Sequence, residues 1–152
     1  MEKLVWSIAF PGFGQFLNGK YLKGILFIAL EILINTQANL NEVIILSFHG
    51  ETQEAIESAD YGWMMFYPCL YLFSIWDAYR DSGNRMVPFS YIPFVMAAYF
   101  FTIGLIFSPT FEIAGFRLGP VWLSILFCFI GIGIGLLFQK WLLYRKCKGN
   151  EA

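Results

Sequence analysis

Residues 120–144 read PVWLSILFCFIGIGIGLLFQKWLLY, a run of 25 residues in which Lys140 is the one charged side chain. An α-helix needs about 20 consecutive apolar residues to cross the hydrocarbon core of a bilayer. Pro120 suits the first turn of such a helix, where its missing N–H costs no hydrogen bond. The run therefore predicts a transmembrane helix and suggests that lipid surrounds the rest of the chain.

The composition extends this prediction to all 152 residues, of which 58% are hydrophobic and 14% are charged. An average soluble domain is about 45–50% apolar and about 25% charged. A soluble domain of this size leaves much of its surface in water and cannot bury so many apolar side chains. We therefore predict an all-α integral membrane protein that forms a single domain over 1–152.

Three further apolar runs have about the length of a membrane span, at 21–38, 61–78 and 91–108. Pro68 lies inside the second run and is expected to kink its helix. Tryptophan and tyrosine residues near the ends of the runs are typical of the aromatic belts at the two membrane interfaces. Together with 120–144, these runs predict four transmembrane helices.

The apolar stretch at 4–17 is short for a span, and Pro11, Gly12 and Gly14 interrupt it. We expect a re-entrant or interfacial segment here, with a short full span as the alternative. Non-helical backbone at membrane depth must be covered by protein. The segment is therefore expected to pack against the other helices.

The orientation follows from the ten Lys and Arg residues, because positively charged short loops stay in the cytoplasm. The four-span arrangement places all of them except Arg117 on one side of the membrane. Segment 39–60 has five acidic residues and no Lys or Arg, and it has room for a short surface helix around Ala55. We predict a multi-pass protein of the cell membrane with both termini cytoplasmic and an acidic extracytoplasmic segment at 39–60.

The most specific string in the chain is PGFGQFLNGKYLKG at 11–24. Glycines allow tight bends or close helix approach, and an Asn-Gly pair is a strong turn signal. The amides of Gln15 and Asn18 are expected to bond the backbone groups that Pro11 leaves unpaired. The residues expected to shape this hairpin turn are Pro11, Gly12, Gly14, Asn18 and Gly19.

Together with WDAYRDSG at 76–83, this string resembles a broad group of small, mostly uncharacterised bacterial membrane proteins. Their pattern is roughly P-G-x-G-Q, then N-G-x-x-x-K-G, then an apolar helix, with D-A-Y-R after a later helix. Similar hairpins occur in some sugar ABC-transporter permeases, but no coupling-loop pattern like EAAxxDGA is found here. The resemblance covers about a fifth of the chain, at 11–35 and 76–83. It implies a bacterial membrane location and brings no established activity.

Glu31 is the most informative single residue. It lies about 15 Å along a helix that starts at Tyr21, near the middle of a hydrocarbon core about 30 Å thick. A charged carboxylate at that depth is costly, so we expect it to face the bundle interior, either protonated or paired. Gln15 and Asn35 are the candidate neighbours. The site is interpreted as a proton or cation site, a contact to a partner helix, or a neutral carboxyl bonded within the bundle.

A second candidate site lies at the cytoplasmic end of the 61–78 run. Asp77 and Arg80 are spaced i,i+3 and share a helix face if the helix continues. Asp77 or Asp81 would also come within reach of Lys20 or Lys23 in the hairpin turn. We state this polar clamp as a hypothesis, with an exposed charged helix end as the alternative.

Gly131 and Gly135 lie four residues apart in the 120–144 run and form a G-x-x-x-G face. Such a face lets two helices approach closely, and its partner is either a helix of the same chain or a second copy. The basic tail from Lys140 onward anchors the topology and would also lie near anionic lipid headgroups.

Other classes of function find no support in the sequence. The three cysteines include no CxxC pair, and the single His49 cannot form a metal site alone, so no metal or cofactor is expected. No basic stripe with interleaved aromatic residues indicates nucleic-acid binding. No nucleophile–base pair or phosphate-binding loop is present, so we do not expect an enzyme.

The leading functional hypothesis is a non-enzymatic subunit or scaffold of a membrane complex. Besides the lipid bilayer, its partner would be another membrane protein or a second copy of the chain. It would bind that partner through its hairpin, its glycine face or its acidic segment. The alternative hypothesis is a small transporter or channel component that uses Glu31.

Overall fold

The computed structural model describes residues 2–83, 86–113 and 115–149 of the chain. Most of them are helical, which confirms the all-α prediction. The helices are α1 (Glu2–Ala9), α2 (Phe13–Leu17), α3 (Tyr21–Gln37), α4 (Leu40–His49), α5 (Thr52–Ser58), α6 (Tyr61–Met64), α7 (Tyr67–Arg80), α8 (Ile92–Phe107) and α9 (Gly119–Gly149). Strands β1 (Glu112–Ile113) and β2 (Phe116–Arg117) form a small antiparallel hairpin where a loop was expected.

The N-terminal stretch forms two short helices that meet at a bend. Gly12 has φ +100°, a backbone conformation that favours glycine. A Cβ built on Gly12 would lie 2.7 Å from the carbonyl oxygen of Gly24, so the glycine also lets the chain press against α3. The eight residues of α1 extend about 12 Å, against about 30 Å for the hydrocarbon core. Neither α1 nor α2 is long enough to cross a bilayer.

The run at 61–78 is divided between two helices. α6 ends at Met64 and α7 begins at Tyr67, with Pro68 in the first turn of α7. Proline is tolerated in a first turn because its missing N–H would have no helical partner there. The prediction of a kink inside one continuous helix was therefore wrong in detail, since the helix breaks just before the proline.

Helices α8 and α9 pack directly on each other through glycine. A Cβ on Gly131 would lie 2.6 Å from the carbonyl oxygen of Met96, and one on Gly135 would lie 2.6 Å from the Cα of Pro93. A Cβ on Gly104 of α8 would lie 2.8 Å from the Cα of Ser124. The partner of the predicted glycine face is therefore a helix of the same chain.

Segment 39–60 is folded into α4 and α5, which pack on the beginning of α9. Ala55 is fully buried, in agreement with the short surface helix expected around it. The indole Nε1 of Trp122 donates a hydrogen bond to the carbonyl oxygen of Ser47 at 3.0 Å. Arg117 pairs with Glu112 across the β-hairpin at 2.9 Å and reaches Gln53 of α5, also at 2.9 Å. We call α4, α5 and the β-hairpin the outer platform.

Within the described residues, one helix is long and apolar enough to cross a membrane, spanning Gly119–Lys148. α3 and α4 pass the same test together, although they are bent by 62° at the residues between them. α8 is apolar but shorter. Length and apolarity thus mark one helix, or two if the bent pair is one span.

The helices expose many large apolar side chains, while a few polar side chains are buried. Leu22 of α3 is 83% exposed and Leu137 of α9 is 70% exposed. Gln15, Ser74 and Asp77, in contrast, are almost completely buried. Extended apolar surface is rare on a soluble monomer and marks an interface or a membrane contact.

Candidate functional site

A group of charged and polar side chains joins α2 and α3 to the end of α7. We call it the Asp77 cluster, and it consists of Gln15, Lys23, Asp77, Arg80 and Asp81. These residues come from the two strings that carry the family resemblance, more than 50 positions apart in the sequence. The structure therefore brings together the residues of the predicted clamp, with Lys20 as the exception.

Lys23 bridges the two carboxylates. Its Nζ lies 2.9 Å from Oδ1 of Asp77 and 2.8 Å from Oδ2 of Asp81. The Asp77 side chain is 3% exposed, whereas that of Lys23 is 40% exposed. The buried carboxylate of Asp77 is therefore paired with a cation that lies partly in solvent. A buried charge requires such a partner.

Arg80 pairs with Asp77 from the same helix, with Nη2 donating to Oδ1 at 2.6 Å. Its guanidinium also lies 4.8 Å from the centre of the Trp76 ring, a distance that allows a cation–π contact. The two cations balance the two carboxylates, so the cluster is electrically neutral.

The amides of the hairpin bond to α7 rather than to the hairpin itself. Gln15 Nε2 donates to the carbonyl oxygen of Ser74 at 2.8 Å and to Oδ2 of Asp77 at 3.3 Å. Asn18 Nδ2 donates to the carbonyl oxygen of Ala78 at 2.8 Å. The expectation that they would bond the backbone freed by Pro11 was wrong, because α7 lies close enough to use both donors.

Lys20 lies outside the cluster. It occupies the N-cap position of α3, and its side chain is exposed. Lys23 is one helical turn further on and points toward α7. Lys20 precedes the first turn of α3, whereas Lys23 lies within it. Lys23 therefore reaches the carboxylates and Lys20 does not.

Electrostatics within the cluster favour the ionised form of Asp81. The hydrogen bond from Lys23 holds the pKa of the Asp81 carboxyl below its usual value, and the charge of Lys23 acts in the same direction. The Lys23–Asp81 pair is therefore kept over the neutral pH range.

Glu31 forms a separate buried site between α3 and α7. The residue is 5% exposed, and its carboxyl interacts with the side chains of Tyr67 and Tyr71. The Tyr71 hydroxyl also donates a hydrogen bond to the carbonyl oxygen of Ile8. Oε2 of Glu31 is buried and has no hydrogen-bond partner in the described part of the chain.

The predicted grouping of Glu31, Gln15 and Asn35 was wrong. The amide of Gln15 donates its hydrogen bonds to Ser74 and Asp77 of α7. Asn35 bonds Asn41 across the bend between α3 and α4, at 3.2 Å. Sequence reasoning missed Tyr67 and Tyr71, although their i,i+4 spacing places both on one face of α7. That spacing could have indicated which residues face Glu31.

Among the residues that the structure describes, no three His, Cys, Asp or Glu side chains lie together as metal ligands would. Comparisons with protein-family models, with curated proteins and with solved structures returned no match. The function must therefore be argued from the geometry.

Proposed function

We propose that the protein crosses the membrane four times, through α3, α7 with α6, α8 and α9. The observation that carries this proposal is the large exposed apolar surface of these helices. α3, α7 and α8 are shorter than an ideal span, with 17, 14 and 16 residues. Local thinning of the bilayer accommodates short spans at modest cost.

We further propose that α1 and α2 form a re-entrant arm. Ile8 is bonded to Tyr71 in the first half of α7, whereas Asn18 is bonded to Ala78 near its end. The chain thus returns along α7 between these two residues. This path leads the Asn18 end of the arm to the side where Lys23 and Arg80 lie. The positively charged side is assigned to the cytoplasm.

Cysteine labelling tests this topology. Cys147 is exposed in the C-terminal part of α9, on the proposed cytoplasmic side. We expect a membrane-impermeant maleimide to label it only after intact cells are permeabilised. With Cys147→Ser as background, Glu54→Cys on the outer platform should be labelled in intact cells. The reverse pattern, or equal labelling at both sites, would exclude the proposed orientation.

Within that topology, we propose a non-enzymatic subunit that binds a partner through the outer platform. The hairpin is occupied by α7 and the glycine face by α8, so these two surfaces are already used within the chain. The platform instead presents Glu51, Glu54 and Glu57, which are all exposed. Phe116 at the tip of the β-hairpin is 75% exposed beside them. An acidic surface with an apolar projection suits a partner that is basic with an apolar pocket.

Affinity purification from the native membrane in mild detergent tests the subunit hypothesis. We expect a stoichiometric membrane-protein partner with the wild type. We expect it to be lost with the triple variant Glu51→Gln, Glu54→Gln, Glu57→Gln. Lys146→Gln, at the opposite end of the molecule, is the matched control. Recovery of the chain alone would rule out the subunit function. Recovery of the same partner with the triple variant would rule out the outer platform as its binding surface.

The unpartnered carboxylate oxygen of Glu31 favours a second candidate function, a proton or cation site in a small transporter. An intramembrane carboxyl without a full set of partners is a functional-site hypothesis by default. Under this hypothesis, Glu31→Gln abolishes a pH-driven flux in proteoliposomes while the protein remains folded. Under the subunit hypothesis, Glu31→Gln retains the partner and there is no flux to lose.

A further inference from the structure

A groove runs between α7, α8 and α9, with Ile8 of α1 at its edge. Its volume is about 840 Å³, which lies within the range of small-molecule sites, about 300–1,000 Å³. Most of its wall is apolar, formed by residues that include Leu72, Ile75, Ala97, Phe101, Phe129 and Ile132. No residue of this groove belongs to the Asp77 cluster or to the outer platform.

Apart from Tyr71, whose hydroxyl is bonded to Ile8, the polar side chains of the groove include Ser90, Gln139 and Lys140 at the end where α7 finishes and α8 begins. Ser90 is 8% exposed, and its Oγ has no hydrogen-bond partner within the described ranges. Gln139 donates to the carbonyl oxygen of Pro88 at 3.1 Å. Lys140 is exposed and forms no ion pair with any residue that the structure describes. This end therefore offers an exposed ammonium to a ligand, with a buried and unpartnered hydroxyl in the wall beside it.

The charges around this end favour an anion. α8 begins at Ile92, directly beside Ser90, and the N-terminus of a helix of 16 residues carries a partial positive charge. The nearest carboxylates of the Asp77 cluster are neutralised by Lys23 and Arg80. These carboxylates therefore do not compensate the positive charge of Lys140.

We propose that the groove binds one anionic phospholipid. Its phosphate lies at Lys140 and Ser90, and one acyl chain runs along the apolar wall toward Phe101. A free anion would leave the apolar wall unused, and the phosphate of a zwitterionic lipid is offset by its own choline cation, so its net attraction to Lys140 is weaker. Basic sites between transmembrane helices on the cytoplasmic side bind anionic headgroups in this way. The proposal rests on the proposed membrane location, which Cys147 labelling tests separately.

The experiment follows thermal unfolding of the full chain in a neutral detergent. The additives are phosphatidylglycerol, phosphatidylcholine with the same acyl chains, and inorganic phosphate. We expect a saturable rise of the unfolding midpoint with phosphatidylglycerol and not with the other two. Lys140→Gln should raise the half-saturating concentration about fivefold, since one cation near an anionic headgroup contributes about 1 kcal/mol. Lys140→Arg should retain the response.

Three controls make the test decisive. Lys146→Gln, in the tail outside the groove, should leave the response unchanged, and an effect equal to that of Lys140→Gln would overturn the site. Equal responses to the two lipids, or a response to phosphate alone, would also overturn it. Cys128→Phe should remove the response by filling the groove from a partly buried position. If Lys140→Gln does not fold, a full response in Cys128→Phe overturns the proposal.

Discussion

The Asp77 cluster and the α8–α9 contact both hold helices together, but they do so by different means. The cluster joins a short, bent arm to α7 through ion pairs and amide hydrogen bonds. The α8–α9 contact brings two long helices so close that a single added carbon at Gly131 would overlap the neighbouring backbone. The Asp77 cluster depends on directed polar bonds, whereas the α8–α9 contact depends on glycines, which have no side chain.

The difference follows from the lengths of the parts. Apolar side chains gain little by leaving lipid for another helix, so close packing and polar bonds must supply the association. Long helices such as α8 and α9 collect dispersion contacts over many turns. α2 has five residues and cannot. A short element in a membrane protein therefore needs polar bonds to hold its position.

The largest effect is expected when the glycine contact is broken. Gly131→Leu would force its side chain into the backbone at Met96 and Ala97, which lie 2.6 and 2.9 Å from the added Cβ. We expect the free energy of unfolding to fall by about 3 kcal/mol or more, at the upper end of the cost of overpacking. Unfolding in mixed micelles, followed by circular dichroism, measures this change.

Gly133→Leu is the matched control, because nothing lies within 4 Å of the Cβ position at Gly133. Its free energy of unfolding should remain within about 0.5 kcal/mol of the wild-type value. Equal losses in the two variants would show that glycine matters here for helix flexibility and not for close approach.

A smaller effect is expected for the cluster. Asp77→Asn removes the charge that Lys23 and Arg80 share, while keeping the size of the side chain. We expect a loss of about 2 kcal/mol, below the about 3–5 kcal/mol for a fully buried pair, because Lys23 is partly exposed. A double-mutant cycle with Lys23→Met should give a coupling energy of about 1 kcal/mol.

Lys20→Met controls for the general loss of a cation near the hairpin and should show no coupling to Asp77→Asn. Exchanging the charges of positions 23 and 77 is a poorer design. A lysine at position 77 would face Arg80, which lies one turn away on the same helix. A coupling near zero for Lys23→Met would show that the cluster is a set of independent surface charges.

The smallest effect concerns pH. The pKa of Asp81 is lowered in the folded chain, so its contribution to stability is fully present above the unfolded pKa of about 3.9. That contribution is lost as the pH falls through the lower folded value. We expect the wild type to lose up to about 1 kcal/mol more than Asp81→Asn below about pH 4, because the pair is partly screened by solvent.

Denaturant titrations of both proteins between pH 3 and pH 6 measure the difference. Gly131, Gly135 and Met96 carry no ionisable group, so this pH range leaves the α8–α9 contact itself unchanged. Parallel pH profiles for the wild type and Asp81→Asn would contradict a role of Asp81 in stability.

Much of the helical pattern could be predicted from the sequence. The run at 21–38 corresponds to α3 at Tyr21–Gln37, and the run at 91–108 corresponds to α8 at Ile92–Phe107. The length of an apolar run is a local property, so a single sequence carries it. The charges in the strings at 11–24 and 76–83 also predicted a contact of Asp77 or Asp81 with Lys20 or Lys23, and the structure shows Lys23 bound to both carboxylates.

The neighbours of Glu31 could not be predicted in the same way. The periodicity of α3 places Glu31 on a face, but it does not say which helix covers that face. Tyr67 lies 36 positions later, beyond a bend and the three helices α4, α5 and α6. The exclusion of Lys20 from the cluster could not be predicted either. It depends on which turn of α3 lies beside α7.

The long separation between the hairpin and α7 also has a consequence for biosynthesis. Asn18 and its acceptor Ala78 are 60 positions apart, and at about 5–20 residues per second the ribosome needs about 3–12 s to make that stretch. Throughout this interval the amides of Gln15 and Asn18 have no protein partner from α7. The arm is thus made first but is fixed to α7 only after a further 60 residues have been added.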